Sequence, residues 1–124
     1  MTLLARSSIY IATSIYEPFG MAPLEAALCG CAVVANDIPS LREVWGDDAL
    51  YFDGPRSLSV LLHQLNRDEQ LLAQARRRSF ARANEMTVQR MVDSYEALYG
   101  ALLTSRPSVR PQVDVQPGLA AHAA

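Results

Sequence analysis

Residues 16–34 (YEPFGMAPLEAALCGCAVV) decide the fold of this chain. Within them, Pro23 predicts the first position of a helix, where a missing N–H costs nothing, and Leu24 to Cys29 continue with good helix formers. Gly30 supplies the stop. Residues 31–35 (CAVVA) then form an apolar run of strand length. On the other side of the loop, residues 9–13 (IYIAT) form a second such run, rich in β-branched and aromatic side chains. Two strands buried on both faces and separated by one helix make a βαβ unit, whose strands are parallel and whose crossover is right-handed.

Outward from that unit, Asn36-Asp37-Ile38-Pro39 is turn chemistry. Ser40 and Glu43 have the S-x-x-E spacing of a capping box, predicting a short helix from about Leu41 to Trp45 that ends at Gly46. Asp47 and Asp48 make the next turn, residues 49–52 are a third strand, and Gly54-Pro55 closes it. The period then changes from two to 3.6. Leu58, Leu61, Leu62 and Leu65 share one helical face, and Val88, Met91, Val92, Tyr95, Tyr99 and Leu102 share another, with Thr87 as its N-cap. Between them, residues 68–84 carry a stripe of Leu72, Ala75, Ser79 and Ala83, small enough for close packing on a neighbour. The expected fold is α/β: parallel strands with helices on both faces over residues 1–103, followed by C-terminal helices, and a disordered tail over residues 104–124.

The chain has 124 residues, half of them apolar, which is enough for one domain with a real core. A formal net charge of -2 gives no general reason to expect nucleic acid as a partner. No apolar run approaches the ~20 residues of a membrane span, and Arg6-Ser7-Ser8 interrupts anything like a signal peptide. A cytoplasmic address follows by default, with attachment at a membrane surface left open. Cys29 and Cys31 have the wrong number and spacing for a disulfide scaffold or a zinc site and read as packing residues. His63 and His122 carry no assigned chemistry. Arg76, Arg77, Arg78 and Arg82 step by about 100° per residue around a helix, which reads as a solvated surface rather than an anion-binding stripe. Trp45, Tyr95 and Tyr99 read as core or interface residues.

The chemistry concentrates between the first strand and the following helix, the place where ligands of open parallel sheets bind. Amides around Gly20 to Leu24 are open at a helix start, the dipole is positive there, and Gly20 lets a ligand approach the main chain. An anion such as a diphosphate suits that position. Glu17 precedes the helix and Glu25 lies in its first turn or so, about 12 Å apart if every step between them were helical. Carboxylates accept from hydroxyls, so the pair suits sugars at either end of a diphosphate. A metal is not required, because no third carboxylate is spaced to complete a hard-ion site.

This E-x7-E stretch, with Pro-Phe-Gly inside it, resembles the signature region of the retaining glycosyltransferases of the GT-B fold, which use nucleotide-sugar donors. The resemblance is strong over residues 16–34 and weak after Gly54. It implies a Rossmann-like C-terminal domain of which this chain is a part. By that resemblance Glu17 is the catalytic glutamate facing the donor sugar, and Phe19, Gly20 and Met21 meet the sugar and diphosphate through their main chain. Leu24 places its amide near the phosphates, and Glu25 holds the ribose hydroxyls. It further implies a nucleoside diphosphate sugar as donor substrate, no bound metal or other cofactor, an alcohol acceptor, and an N-terminal Rossmann domain that the chain lacks, together with an upstream Arg and Lys. Residues 40–43 stand where the family commonly has a glycine-rich turn. The chain alone is therefore expected to be inactive. Two other functions fit the same residues: a non-catalytic module that binds a nucleotide or packs on a partner, and a nucleotide-sugar epimerase.

Overall fold

The structure, a computed structural model, describes residues 3–104. Its centre is a three-stranded parallel sheet of β1 (Ile9–Ala12), β2 (Ala32–Asn36) and β3 (Leu50–Phe52), in the order β1-β2-β3. Tyr10 pairs with Val33 and Ala35 with Tyr51 in register. The parallel arrangement is the one expected. Helix α1 (Met21–Leu28) connects β1 to β2, and α2 (Pro39–Trp45) with a 3-10 turn at Gly46–Asp48 connects β2 to β3. Three further helices follow: α3 (Pro55–Arg67), α4 (Glu69–Glu85) and α5 (Val88–Thr104).

Two helix starts differ from expectation. Gly20, at φ +89°, is the N-cap of α1, so Pro23 is the third helical residue rather than the first. Proline is tolerated there because first-turn N–H groups have no partner inside the helix. The capping box at Ser40 does not form. Helix α2 begins at Pro39 behind an extended Ile38, with no side-chain cap, because proline presets its own φ for the first helical position.

Strand alternation sorts the core into two faces. Val33 and Ala35 point to one side, with Leu24 and Ala27 of α1, Leu41 and Trp45 of α2, and Ala83 of α4. Val34 points to the other, with Phe52, Leu65 of α3 and the partly buried Leu58, Leu61, Leu71 and Leu72. Helix α4 thus contributes Leu71 and Leu72 to one face and Ala83 to the other. Its Ala75, Ser79 and Ala83 are buried, which is the close packing that the small-residue stripe predicted.

The middle of α4 lies against the N-terminal ends of the strands. Val33 donates its N–H to Ser79 Oγ (3.1 Å), and that hydroxyl donates to the carbonyl of Asp48 (2.8 Å). The register of β2 with β3 starts one residue later, at Val34 and Leu50, so Ser79 continues the ladder where the neighbouring strand has not begun. The arginines are more than a solvated face. Arg76 Nε donates to the Gly30 carbonyl beyond the end of α1 (2.6 Å), and Arg82 donates through Nε and Nη2 to the Val44 carbonyl in the last turn of α2 (2.9 and 2.7 Å). Arg78 faces Asp48 at 3.7 Å. A guanidinium is favourable at a helix C-terminus because it satisfies open carbonyls and opposes the negative end of the dipole.

The chain divides into two units after Met91. Helix α5 carries the expected Thr87 cap, whose Oγ1 accepts from the Arg90 N–H (3.1 Å). Its Met91, Val92, Tyr95, Leu98, Tyr99 and Leu102 are exposed, and the rings of Tyr95 and Tyr99 stack at 6.1 Å. Thr104 is still helical, and the rest of the expected tail lies outside the described residues. Among the described residues no helix is long and apolar enough to cross a membrane.

Candidate functional site

The chain leaves the C-terminal end of β1 in a loop over residues 13–20 and turns into α1 at Gly20. Gly20 is buried, and a Cβ there would meet Pro23 Cγ at 3.2 Å, Leu41 Cδ2 at 3.4 Å and Glu17 Cγ at 3.5 Å. The half-buried Glu17 therefore folds its stem back over Gly20, and Leu41 of α2 supports the loop from below. Both the positive φ and the crowding require glycine.

At the start of α1, the Leu24 N–H donates to the Gly20 carbonyl (3.2 Å), and Pro23 has no N–H to offer. The amides outside the helical ladder are those of Gly20, Met21 and Ala22, a narrower set than the sequence implied. Leu24 is itself buried in the core. Glu25 is the fifth helical residue, exposed and in the second turn, not the first. Around this opening the chain exposes large apolar groups. Ile15 is 88% exposed, Tyr16 83%, Met21 59% and Phe19 43%.

The other strand ends contribute polar ties. Asn36, the last residue of β2, donates from Nδ2 to the carbonyl of Ser14 (3.2 Å). The next residue, Asp37, donates its N–H to the Phe52 carbonyl (2.8 Å). Its carboxylate receives Arg42 twice, through Nε and through Nη2 (2.8 Å), and the Arg42 guanidinium lies 4.2 Å from the centre of the Tyr51 ring. The hydrogen bond from Arg42 holds the Asp37 carboxyl below the usual carboxylate range. Burial pushes the Tyr51 phenol up, and its hydroxyl donates to the carbonyl of Gly46 (2.8 Å). The charge of Arg42 is thus paired with Asp37 beside the loop.

The residues singled out from the sequence fall at one end of the sheet. Glu17, Phe19, Gly20 and Met21 lie on the loop and first helical residue, and Glu25 one turn further along. A family model of group 1 glycosyl transferases matches residues 1–82, more than half the chain, and takes in this whole loop, the sheet and α1 to α3. The chain belongs to the group 1 glycosyl transferases. It is similar to the alpha-maltose-1-phosphate synthase of Mycolicibacterium smegmatis, 40% identical over 45 residues, covering 36% of this chain and 12% of the synthase. It is also similar to the O-antigen chain mannosyltransferase B of Escherichia coli, 43% identical over 51 residues (41% of this chain, 13% of that protein). A third similarity is to the serotype-specific mannosyltransferase WbdA of Escherichia coli, 43% identical over 44 residues (35% and 5%). The matched stretch is a small part of each relative.

Among the described residues of this group 1 glycosyl transferase chain, no three His, Cys, Asp or Glu side chains gather as metal ligands would. Cys31 is buried, and its thiol reaches the Leu4 and Ser7 carbonyls (3.4 and 3.3 Å), a packing role. Burial raises its pKa, which makes it a poorer nucleophile. Sequence reasoning missed Asn36, which it read as turn chemistry. The available signal was an amide at the end of a buried strand, where its side chain can reach the adjacent loop.

Proposed function

We propose that this chain is the donor-binding part of a retaining glycosyltransferase that moves a hexose from a nucleoside diphosphate sugar to an alcohol acceptor. The observation that carries the reading is the loop of residues 13–20. It combines a half-buried carboxylate, a glycine that opens the main chain and three unladdered amides at a helix N-terminus, all at the carboxyl ends of a parallel sheet. The diphosphate would lie against the Met21 and Ala22 amides, where the helix dipole favours negative charge as the bond to the anomeric carbon breaks. Glu17 faces the sugar, with Phe19 and Gly20 lining its main-chain side. Glu25, exposed one turn along α1, accepts from the ribose hydroxyls. Leu24, buried and hydrogen-bonded to Gly20, acts by holding the first turn in place. The names of the two mannosyltransferase relatives support a hexose.

On this reading the acceptor site and the cations that neutralise the departing diphosphate belong to an N-terminal domain. This chain would then bind donor but transfer nothing by itself. A thermal-shift panel of UDP, GDP, ADP and their sugars on the longest natural form of the protein tests it. One nucleotide series at 100 times its dissociation constant should stabilise the protein by about 2.7 kcal/mol. No shift with any of them would leave the packing-module reading in its place.

A further inference from the structure

We propose that Asn36 is a positioning residue for Glu17, anchoring the catalytic loop to the end of β2; this rests on the transferase reading above. Asn36 is half-buried, and its side-chain amide donates to the Ser14 carbonyl at 3.2 Å, three residues before Glu17. The anchor itself is rigid. The Asn36 carbonyl accepts from the Ile38 N–H (2.9 Å), and the following Asp37 is tied to the Phe52 carbonyl and to Arg42. On the α2 side the loop is fastened by the Asn36 amide near its start and by the close approach of Gly20 to Leu41 at its end. Ile15 and Tyr16, between them, are almost fully exposed and contribute little packing. Loss of the amide frees the half of the loop that leads into Glu17, while α1 and Glu25 stay held by the core contacts of Leu24 and Ala27.

A neutral hydrogen bond of this kind shifts a local equilibrium by about two- to tenfold, and misplacing a reacting group by about 1 Å can cost on the order of a hundredfold in rate. Asn36→Asp is the informative variant, because it keeps the shape but is an acceptor only at neutral pH, with Asn36→Ala beside it. Two measurements separate the anchor from the reaction. Backbone 15N relaxation on the present chain should show order parameters over residues 14–19 falling toward about 0.6 or below in both variants, with α1 and the sheet unchanged. In the longest natural form of the protein, both variants should lower kcat about tenfold or more while the donor KM moves less than about twofold. In a Glu17→Gln background the same changes should have less than about a twofold further effect, because Asn36 acts through Glu17. The proposal is overturned if Asn36→Asp keeps wild-type loop order, if its effect multiplies fully with that of Glu17→Gln, or if loosening spreads through the sheet. If the wild-type protein transfers no sugar, the functional reading fails instead, and the relaxation data still decide whether the anchor exists.

Discussion

Replacing Ser79 by alanine tests a buried hydroxyl that joins α4 to β2 and to the 3-10 turn ahead of β3. Its hydroxyl is buried, accepts the Val33 N–H at 3.1 Å and donates to the Asp48 carbonyl at 2.8 Å. Removing it orphans a buried backbone donor at the N-terminal end of the central strand, which costs about 1–3 kcal/mol, and leaves an acceptor one bond short. Alanine repays part of this, since it is the better helix former by about 0.5 kcal/mol. The space vacated by one oxygen, in a site closed by β2 and α4, is below what a replacement water needs. The net destabilisation should be about 1.5–2.5 kcal/mol. At about 4–8 °C per kcal/mol for a domain of this size, the midpoint should fall by roughly 6–20 °C. Urea titration followed by far-UV circular dichroism gives the free energy directly, and an unchanged slope shows that the same surface unfolds. A loss under about 0.5 kcal/mol would refute the argument, because Val33 would then have another partner.

Three further substitutions test the loop, α1 and the strand end beside them. In the longest natural form of the protein, Glu25→Ala should raise the donor KM more than it lowers kcat, by about ten- to a hundredfold in kcat/KM, whereas Glu17→Gln should mainly depress kcat; steady-state kinetics showing the reverse split would refute the assigned roles. The Asp37 carboxyl, held low by Arg42, should titrate by NMR below an ordinary aspartate, and Arg42→Ala should return it to the usual range. Because its folded value lies below its unfolded one, the stability it contributes is present above the ordinary carboxylate range and disappears as the pH falls through the depressed value.

The parallel βαβ core was legible because residues 32–35 are four consecutive fully buried positions, and the short length, the two valines and the preceding Gly30 separate such a run from a buried helix. The start of α1 was misread for a local reason. A proline is equally silent at any first-turn position, so Pro23 could not say which one it held, and the left-handed Gly20 that sets the true start looked only like a site glycine. At Ser40 two start signals competed, and proline's preset φ at position 39 took precedence over the side-chain cap. The partners of Asn36 and Ser79 were not legible because each tie joins residues distant in the chain, 36 to 14 and 79 to both 33 and 48; an amide at a strand end signals a reach to a loop but not to which residue.

These ties divide the molecule by height along the strands. At the N-terminal ends, α4 holds the sheet and the ends of both crossover helices through Ser79, Arg76 and Arg82, using bonds whose partners are backbone carbonyls and one backbone N–H. At the C-terminal ends the loop of residues 13–20 is tied by the Asn36 side-chain amide and lies close to Leu41 at Gly20, and Ile15, Tyr16, Phe19 and the adjoining Met21 are exposed. The asymmetry has a physical reason. Buried strand ends that lack a ladder partner need side chains to satisfy their main-chain groups, whereas an exposed loop can leave its polar groups to water. Helix α1 belongs to both ends at once: Arg76 meets the chain just past its C-terminus, and its N-terminus keeps the Met21 and Ala22 amides open. Fixing one end of a helix against a rigid sheet aims the other, which is how the seventeen-residue α4, packed directly on α1, sets the direction of that helix.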